Sequence, residues 1–184
     1  MKIKWIHNLI LSFLLTSTAY GVECNPDCTY HEDDIQRVRL VSDSNNKMLH
    51  LHPHNNNVGR WGNWESEGTR LPANLWKMEN FTDRDNMCDA KIRLTSSTWK
   101  LLHRHGHNNN VGGWGNRLDY SNLSTSNKWT VSCVDTQYSD DLCGERVRLI
   151  SDNNNYLYAH GHNNNVGTHP GDGADSIWRI ECYQ

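Results

Sequence analysis

The hexapeptide His54-Asn-Asn-Asn-Val-Gly59 returns verbatim as His107-Asn-Asn-Asn-Val-Gly112 and His162-Asn-Asn-Asn-Val-Gly167. Each copy sits inside a longer unit. The unit opens on Arg37-Val-Arg-Leu40, Lys91-Ile-Arg-Leu94 or Arg146-Val-Arg-Leu149. It closes on Leu75-Trp-Lys-Met78, Lys128-Trp-Thr-Val131 or Ile177-Trp-Arg-Ile180. The opening leucines recur at about 54 residues, so the chain holds three copies of one module.

Apolar residues alternate with polar ones at both ends of the module. Val38 and Leu40 share one face of a strand while Arg37 and Arg39 take the other, and Ile92/Leu94 and Val147/Leu149 repeat the pattern. Trp76/Met78, Trp129/Val131 and Trp178/Ile180 alternate in the same way. Such runs, bounded by Asn, Asp, Ser and Gly, predict half-buried strands. No helical period competes. The expected fold is all-β, a β-trefoil of repeats at about 37–80, 88–133 and 143–182, whose closure around a threefold axis leaves few sheet edges exposed. Trp76, Trp129 and Trp178 are expected in its core.

Residues 1–21 read as a secretory signal peptide: Lys2 and Lys4, an apolar Leu9–Leu15 run, and a small-x-small end at Ala19-Tyr20-Gly21. Residues 22–36 form an N-terminal segment carrying Cys24 and Cys28, and 37–184 the trefoil. The expected localisation is secreted or extracellular. The formal charge of −3 shows no basic stripe, which argues against nucleic acid, and no later segment resembles a membrane helix.

The six cysteines follow the repeats. Cys88 and Cys143 precede the opening strands of repeats two and three; Cys133 and Cys182 follow the closing tryptophans. Repeat one has Asp34 and Asn80 at those positions and lacks both. Shared presence and shared absence predict disulfides Cys88–Cys133 and Cys143–Cys182, leaving Cys24 and Cys28 for each other or for a partner chain. Zinc ligation is the rival reading, without paired Cys-x-x-Cys motifs to carry it.

The repeat resembles the MIR motif, found in protein O-mannosyltransferases, inositol-trisphosphate and ryanodine receptors, and stromal cell-derived-factor-type proteins of the ER. Tyr156-Leu-Tyr-Ala-His-Gly-His162 with Asp175-Ser-Ile-Trp-Arg-Ile180 carries the likeness, and Leu49-His-Leu-His52 and Leu102-His-Arg-His105 match its Leu-His-x-His core. The resemblance implies a β-trefoil. The family's Gly-Ser and Gln-rich stretch is replaced here by Asn-Asn-Asn-Val-Gly and Trp-Gly-Asn, which removes the ground for carrying over its partners.

Three features could carry chemistry. His50/His52/His54 and His103/His105/His107 are spaced by two, with His160/His162 continuing the series behind Tyr158. Two imidazoles on one strand face can chelate a metal, but no Asp, Glu or Cys stands at ligand spacing. Hydrogen bonding to nearby turn carbonyls is the plainer role. The Asn triplets (Asn55, Asn56, Asn57; Asn108, Asn109, Asn110; Asn163, Asn164, Asn165) suit a tight turn, yet their verbatim identity also fits a shared ligand, with His54, His107 and His162 beside them.

Past the triplets, Trp61-Gly-Asn63 and Trp114-Gly-Asn116 match, while repeat three has His169-Pro-Gly171. An indole among glycines and amides is apparatus for a sugar, whose apolar face stacks on the ring while its hydroxyls take the amides. Packing beneath a loop is the alternative. Asn80-Phe-Thr82 and Asn122-Leu-Ser124 are sequons. No catalytic motif is present, and no metal or other cofactor is called for. The expectation is a non-catalytic module binding a glycan or glycoprotein; a protein-interaction or chaperone-accessory module is the alternative, and a His-rich metal binder a weaker one.

Overall fold

The computed structural model describes residues 36–183 apart from 67, 69, 83–85, 107–108, 117–123 and 161–163. The expected signal peptide 1–21, Cys24, Cys28, Asn122, His107, Asn108, His162 and Asn163 lie outside the described residues.

Each repeat contributes four strands. Repeat one has β1 (Gln36–Ser42), β2 (Met48–Leu51), β3 (Val58–Trp61) and β4 (Trp76–Asn80). Repeat two has β5 (Lys91–Ser96), β6 (Leu101–Arg104), β7 (Val111–Trp114) and β8 (Trp129–Cys133). Repeat three has β9 (Arg146–Ile150), β10 (Tyr156–Ala159), β11 (Val166–His169) and β12 (Trp178–Cys182). First and last strands close an antiparallel barrel in the order β1-β4-β5-β8-β9-β12 and back to β1. The middle strands form the hairpins β2–β3, β6–β7 and β10–β11. This is a β-trefoil.

The alternation read in the sequence places the core. Val38, Leu40, Ile92, Leu94, Val131, Val147, Leu149 and Ile180 are buried together with Trp76, Trp129 and Trp178, whose side chains are fully enclosed. A buried indole N–H needs an acceptor. Each finds one in its own hairpin: Trp76 Nε1 donates to Leu49 O (3.2 Å), Trp129 Nε1 to Leu102 O (3.1 Å) and Trp178 Nε1 to Leu157 O (3.0 Å). The closing strand of each repeat is thereby tied to its cap.

Both expected disulfides are present, Cys88–Cys133 and Cys143–Cys182. Cys88 sits in a 3-10 turn (Met87–Asp89) and Cys143 in a turn ahead of β9, so the bridges hold the approach to the opening strand, not the strand itself. Loops of this length are worth about 3–4 kcal/mol in chain entropy. Two outward arginines of the opening strands are covered by aromatic rings. Arg39 lies under the rings of Trp64 and Tyr183, at 5.9 and 5.0 Å, and Arg93 over Phe81 at 4.1 Å.

The hexapeptide is the hairpin turn and the start of a third strand, not a turn alone. In repeat one Asn57 N–H donates to Asn55 Oδ1 (3.0 Å), and Asn56 takes a left-handed φ of 56°. The three turns then interlock. Gly113 N–H donates to Asn56 O, Thr168 N–H to Asn109 O, and Arg60 N–H to Asn164 O, each at 2.6 Å. Single bridges Asn57–Gly112, Asn110–Gly167 and Gly59–Asn165 run beside them. Every turn therefore braces the next repeat, closing a ring around the pseudo-threefold axis. A Cβ at Gly59, Gly112 or Gly167 would stand 2.8, 3.2 or 2.7 Å from the backbone oxygen of Asn164, Asn56 or Asn109. No side chain larger than hydrogen fits there. The verbatim repetition thus has a cause in packing.

Candidate functional site: aromatic ledges at the hairpin bases

In each hairpin one face carries alternate residues of both strands. Met48, His50 and His52 share it with Gly59 and Trp61, because Met48 pairs with Trp61 and His50 with Gly59. The inner part of this face is buried by the 3-10 turn Pro72–Asn74, which precedes the closing tryptophan. Asn74 is fully buried, and its Oδ1 accepts from His50 Nδ1 at 2.5 Å. Repeat two builds the same contact, Asn127 Oδ1 accepting from His103 Nδ1 at 2.7 Å. The first histidine of each pair is therefore held by a side-chain amide, where a turn carbonyl was expected. Repeat three, with Tyr158 in place of histidine and Ser176 in place of asparagine, has the phenol donate to Asp175 Oδ2 at 3.3 Å.

Against these anchored rings lie the aromatic residues at the strand ends. The His50 and Trp61 ring centroids are 5.8 Å apart at 37°, and those of His103 and Trp114 are 5.8 Å apart at 31°. The second histidines meet the first edge-on, His52 at 4.7 Å and His105 at 5.3 Å. Trp61 is 38% and Trp114 54% exposed, while the core tryptophans are sealed. Both close their strands, β3 and β7, where the sequence reading had put them in a loop. Gly62 (φ 71°) and Gly115 (φ 64°) take left-handed backbone immediately after, a conformation that favours glycine. Repeat three keeps an aromatic pair with the partners exchanged: Tyr158 and His169 at 4.9 Å.

The structure divides the predicted site residues between two places. His50, His52, Trp61 and Asn63 gather at the base of hairpin one, and His103, His105, Trp114 and Asn116 at the base of hairpin two. His54 and Asn55, Asn56 and Asn57 stand at the tip, about 13 Å from Trp61 at the rise of an extended chain. The triplet nearest each ledge belongs to another repeat. Asn164 reaches the strand of Trp61 through Arg60, and its Oδ1 accepts from Lys47 Nζ at 2.7 Å; Asn56 reaches that of Trp114 through Gly113. Asn109, Asn110 and Asn165 lie in the same interlocking ring. Asn74 and Asn127 are the residues the sequence reading missed.

Burial lowers the pKa of His103, more than its hydrogen bond to Asn127 raises it. Burial also lowers that of His52, helped by the neighbouring His50. Both rings are thus held neutral near pH 7, donating from one nitrogen and offering a lone pair on the other. Among the described residues, the one trio of metal-type ligands within reach of a common ion is Asp141, Cys143 and Cys182, whose sulfurs are joined in a disulfide. No described helix is long and apolar enough to cross a membrane.

No protein-family model and no curated protein sequence matches the chain. Solved structures do. The SDF2-like protein of Arabidopsis thaliana superposes with a TM-score of 0.65 at 21% identity, over 79% of this chain and 92% of that one. The protein O-mannosyltransferase Pmt1–Pmt2 complex of S. cerevisiae, solved bound to the sugar donor, gives 0.58 at 18% identity, over 80% of this chain and 24% of that one. SeviL bound to asialo-GM1 saccharide gives 0.55 at 12% identity, over 81% and 99%. These likenesses show the fold, a β-trefoil shared with the SDF2-like protein and with part of the mannosyltransferase complex.

Proposed function

We propose that the protein is a non-catalytic carbohydrate-binding module whose sites are the ledges of Trp61 and Trp114. The observation that carries this is the contrast among tryptophans of one repeat: one buried keystone, one indole left open beside an anchored imidazole. An exposed indole offers an apolar face for the C–H side of a pyranose. The neutral imidazoles and the amides of Asn63 and Asn116 supply donors and acceptors at its edge. Trefoil relatives in fold include SeviL, solved with a bound saccharide, so the scaffold accommodates this use. Two disulfides suit an exported protein that meets glycans outside the cytosol.

The test is a Trp61→Ala/Trp114→Ala double mutant, checked for folding and compared with wild type on immobilised glycans. Each stack is worth about 0.5–1.5 kcal/mol beyond area burial, so each single mutant should bind several-fold more weakly and the double mutant not measurably. Undiminished binding by the folded double mutant would refute the ledge mechanism.

A further inference from the structure

The barrel wall carries a second feature, separate from the ledges. Arg37 on β1 pairs directly with Lys77 on β4, and Lys77 with Thr95 on β5. Like charges directly opposite each other destabilise an antiparallel pair. Repeat three contains the same arrangement, Arg146 opposite Arg179. There it is neutralised: Arg146 binds Asp43 (2.9 Å) and Asp135 (3.1 Å), and Arg179 binds Glu181. Repeat two avoids the problem by placing Thr130 opposite Lys91. Among the described residues Arg37 and Lys77 form no ion pair, and Glu79, the next acid along that face, stands opposite Arg93.

Beside this uncompensated pair is a strained aromatic. The turn between the first two strands of every repeat requires one left-handed residue: Asn46 (φ 54°), Trp99 (φ 64°) and Asn154 (φ 62°). Asparagine tolerates that conformation, whereas a bulky residue there is an outlier. The hydrogen bonding of the turn is nonetheless alike, with Asn46, Trp99 and Asn154 N–H donating to Ser42, Ser96 and Ser151 O. Repeats one and three build the same turn on asparagine, so the turn itself does not require an indole. Trp99 is 37% exposed, and the Lys77 ammonium lies 4.5 Å from its ring centroid. A left-handed indole and a pair of like charges without an acidic partner among the described residues thus meet in one place.

We infer that Arg37, Lys77 and Trp99 form a binding site for an anionic saccharide, the two cations taking a carboxylate or sulfate and the indole the sugar ring. Its ligand class rests on the glycan-binding reading above; its residues do not overlap the ledges. Arg37 supplies a planar fork for an oxyanion and Lys77 a mobile charge between oxyanion and ring.

The experiment uses the full chain on three immobilised probes: heparin (sulfate), fetuin (sialic acid carboxylate) and asialofetuin (neither). Wild type should prefer one anionic probe to asialofetuin. Arg37→Gln/Lys77→Gln and Trp99→Asn should each lose about tenfold or more on that probe, the weight of a charge-assisted hydrogen bond. Neither should change on asialofetuin. Trp99→Asn should also melt at or above the wild-type temperature, because asparagine suits the turn. Absence of any anionic preference in wild type would overturn the proposal, as would its survival in either variant. A lower melting temperature for Trp99→Asn would remove the strain on which it stands. If asialofetuin binding persists in Trp61→Ala/Trp114→Ala, the ledges are wrong while the basic site still stands on its own probe.

Discussion

Within one hairpin the tip and the base have followed opposite rules. The tip is the same six residues in all three repeats; the base reads Trp61, Trp114 and His169. Identity at a surface loop invites the idea of a shared ligand, yet here it marks where the repeats touch. Asn56, Asn109 and Asn164 each offer a carbonyl to the next repeat, and Gly59, Gly112 and Gly167 are where that backbone crosses. A ring of three turns on a pseudo-threefold axis constrains all three alike. The aromatic position at the base is not part of that hydrogen-bonded ring, and it differs between repeats. Its tryptophans remain exposed while an asparagine from the closing segment fixes the ring beneath them. In an internally repeated fold, sameness is thus weak evidence of binding, and an exposed departure from the repeat is stronger.

Trp129→Ala should have the largest effect, because that indole serves both ends. It fills the barrel core and bonds the Leu102 carbonyl between hairpin and wall. The expected loss is roughly 3–5 kcal/mol from the cavity and the freed acceptor, read by denaturant titration. A loss below one kcal/mol would mean that the keystones do not hold the caps.

Gly167→Ala separates the two ends. Its Cβ would stand 2.7 Å from Asn109 O and 2.9 Å from His160 Nε2, so backbone must move. Overpacking of this kind costs about 1–3 kcal/mol. Glycan binding by the folded fraction should be unchanged, since Trp61 and Trp114 lie on other hairpins. Wild-type stability with impaired binding would invert the comparison and make the tip the site.

The barrel was legible because its signals are local or paired. Alternation fixes which face of β1, β5 and β9 goes inward, and the joint absence of cysteines from repeat one identified both bridges. The anchoring of the histidines was not read, although the same logic would have found it. Asn74 and Asn127 stand 24 residues after His50 and His103, and repeat three changes both members, to Tyr158 and Ser176. Covariation between repeats carries contact information that a motif search along one repeat lacks. The meeting of Arg37, Lys77 and Trp99 needs strand register as well as sequence, because nothing in residue spacing puts β1, β4 and the β5–β6 turn side by side.

The smallest expected effect is a pH dependence confined to the bases. Burial sets the pKa of His103 and of His52 below the free-imidazole value of 6.5. On acidification the unfolded chain then takes up these protons before the folded one. The stability contributed by the neutral rings is fully present above pH 6.5 and declines as pH falls from there towards the folded pKa values. Protonating His103 also places a cation near Arg104, whose charge disfavours it. Melting temperatures measured from about pH 7.5 down to about pH 5.5 should therefore fall in the wild type, and less steeply in His52→Gln/His103→Gln. Titrating groups elsewhere act equally on both proteins, so the difference between the two slopes isolates these rings. Parallel slopes would show that burial in the ledge holds neither histidine neutral.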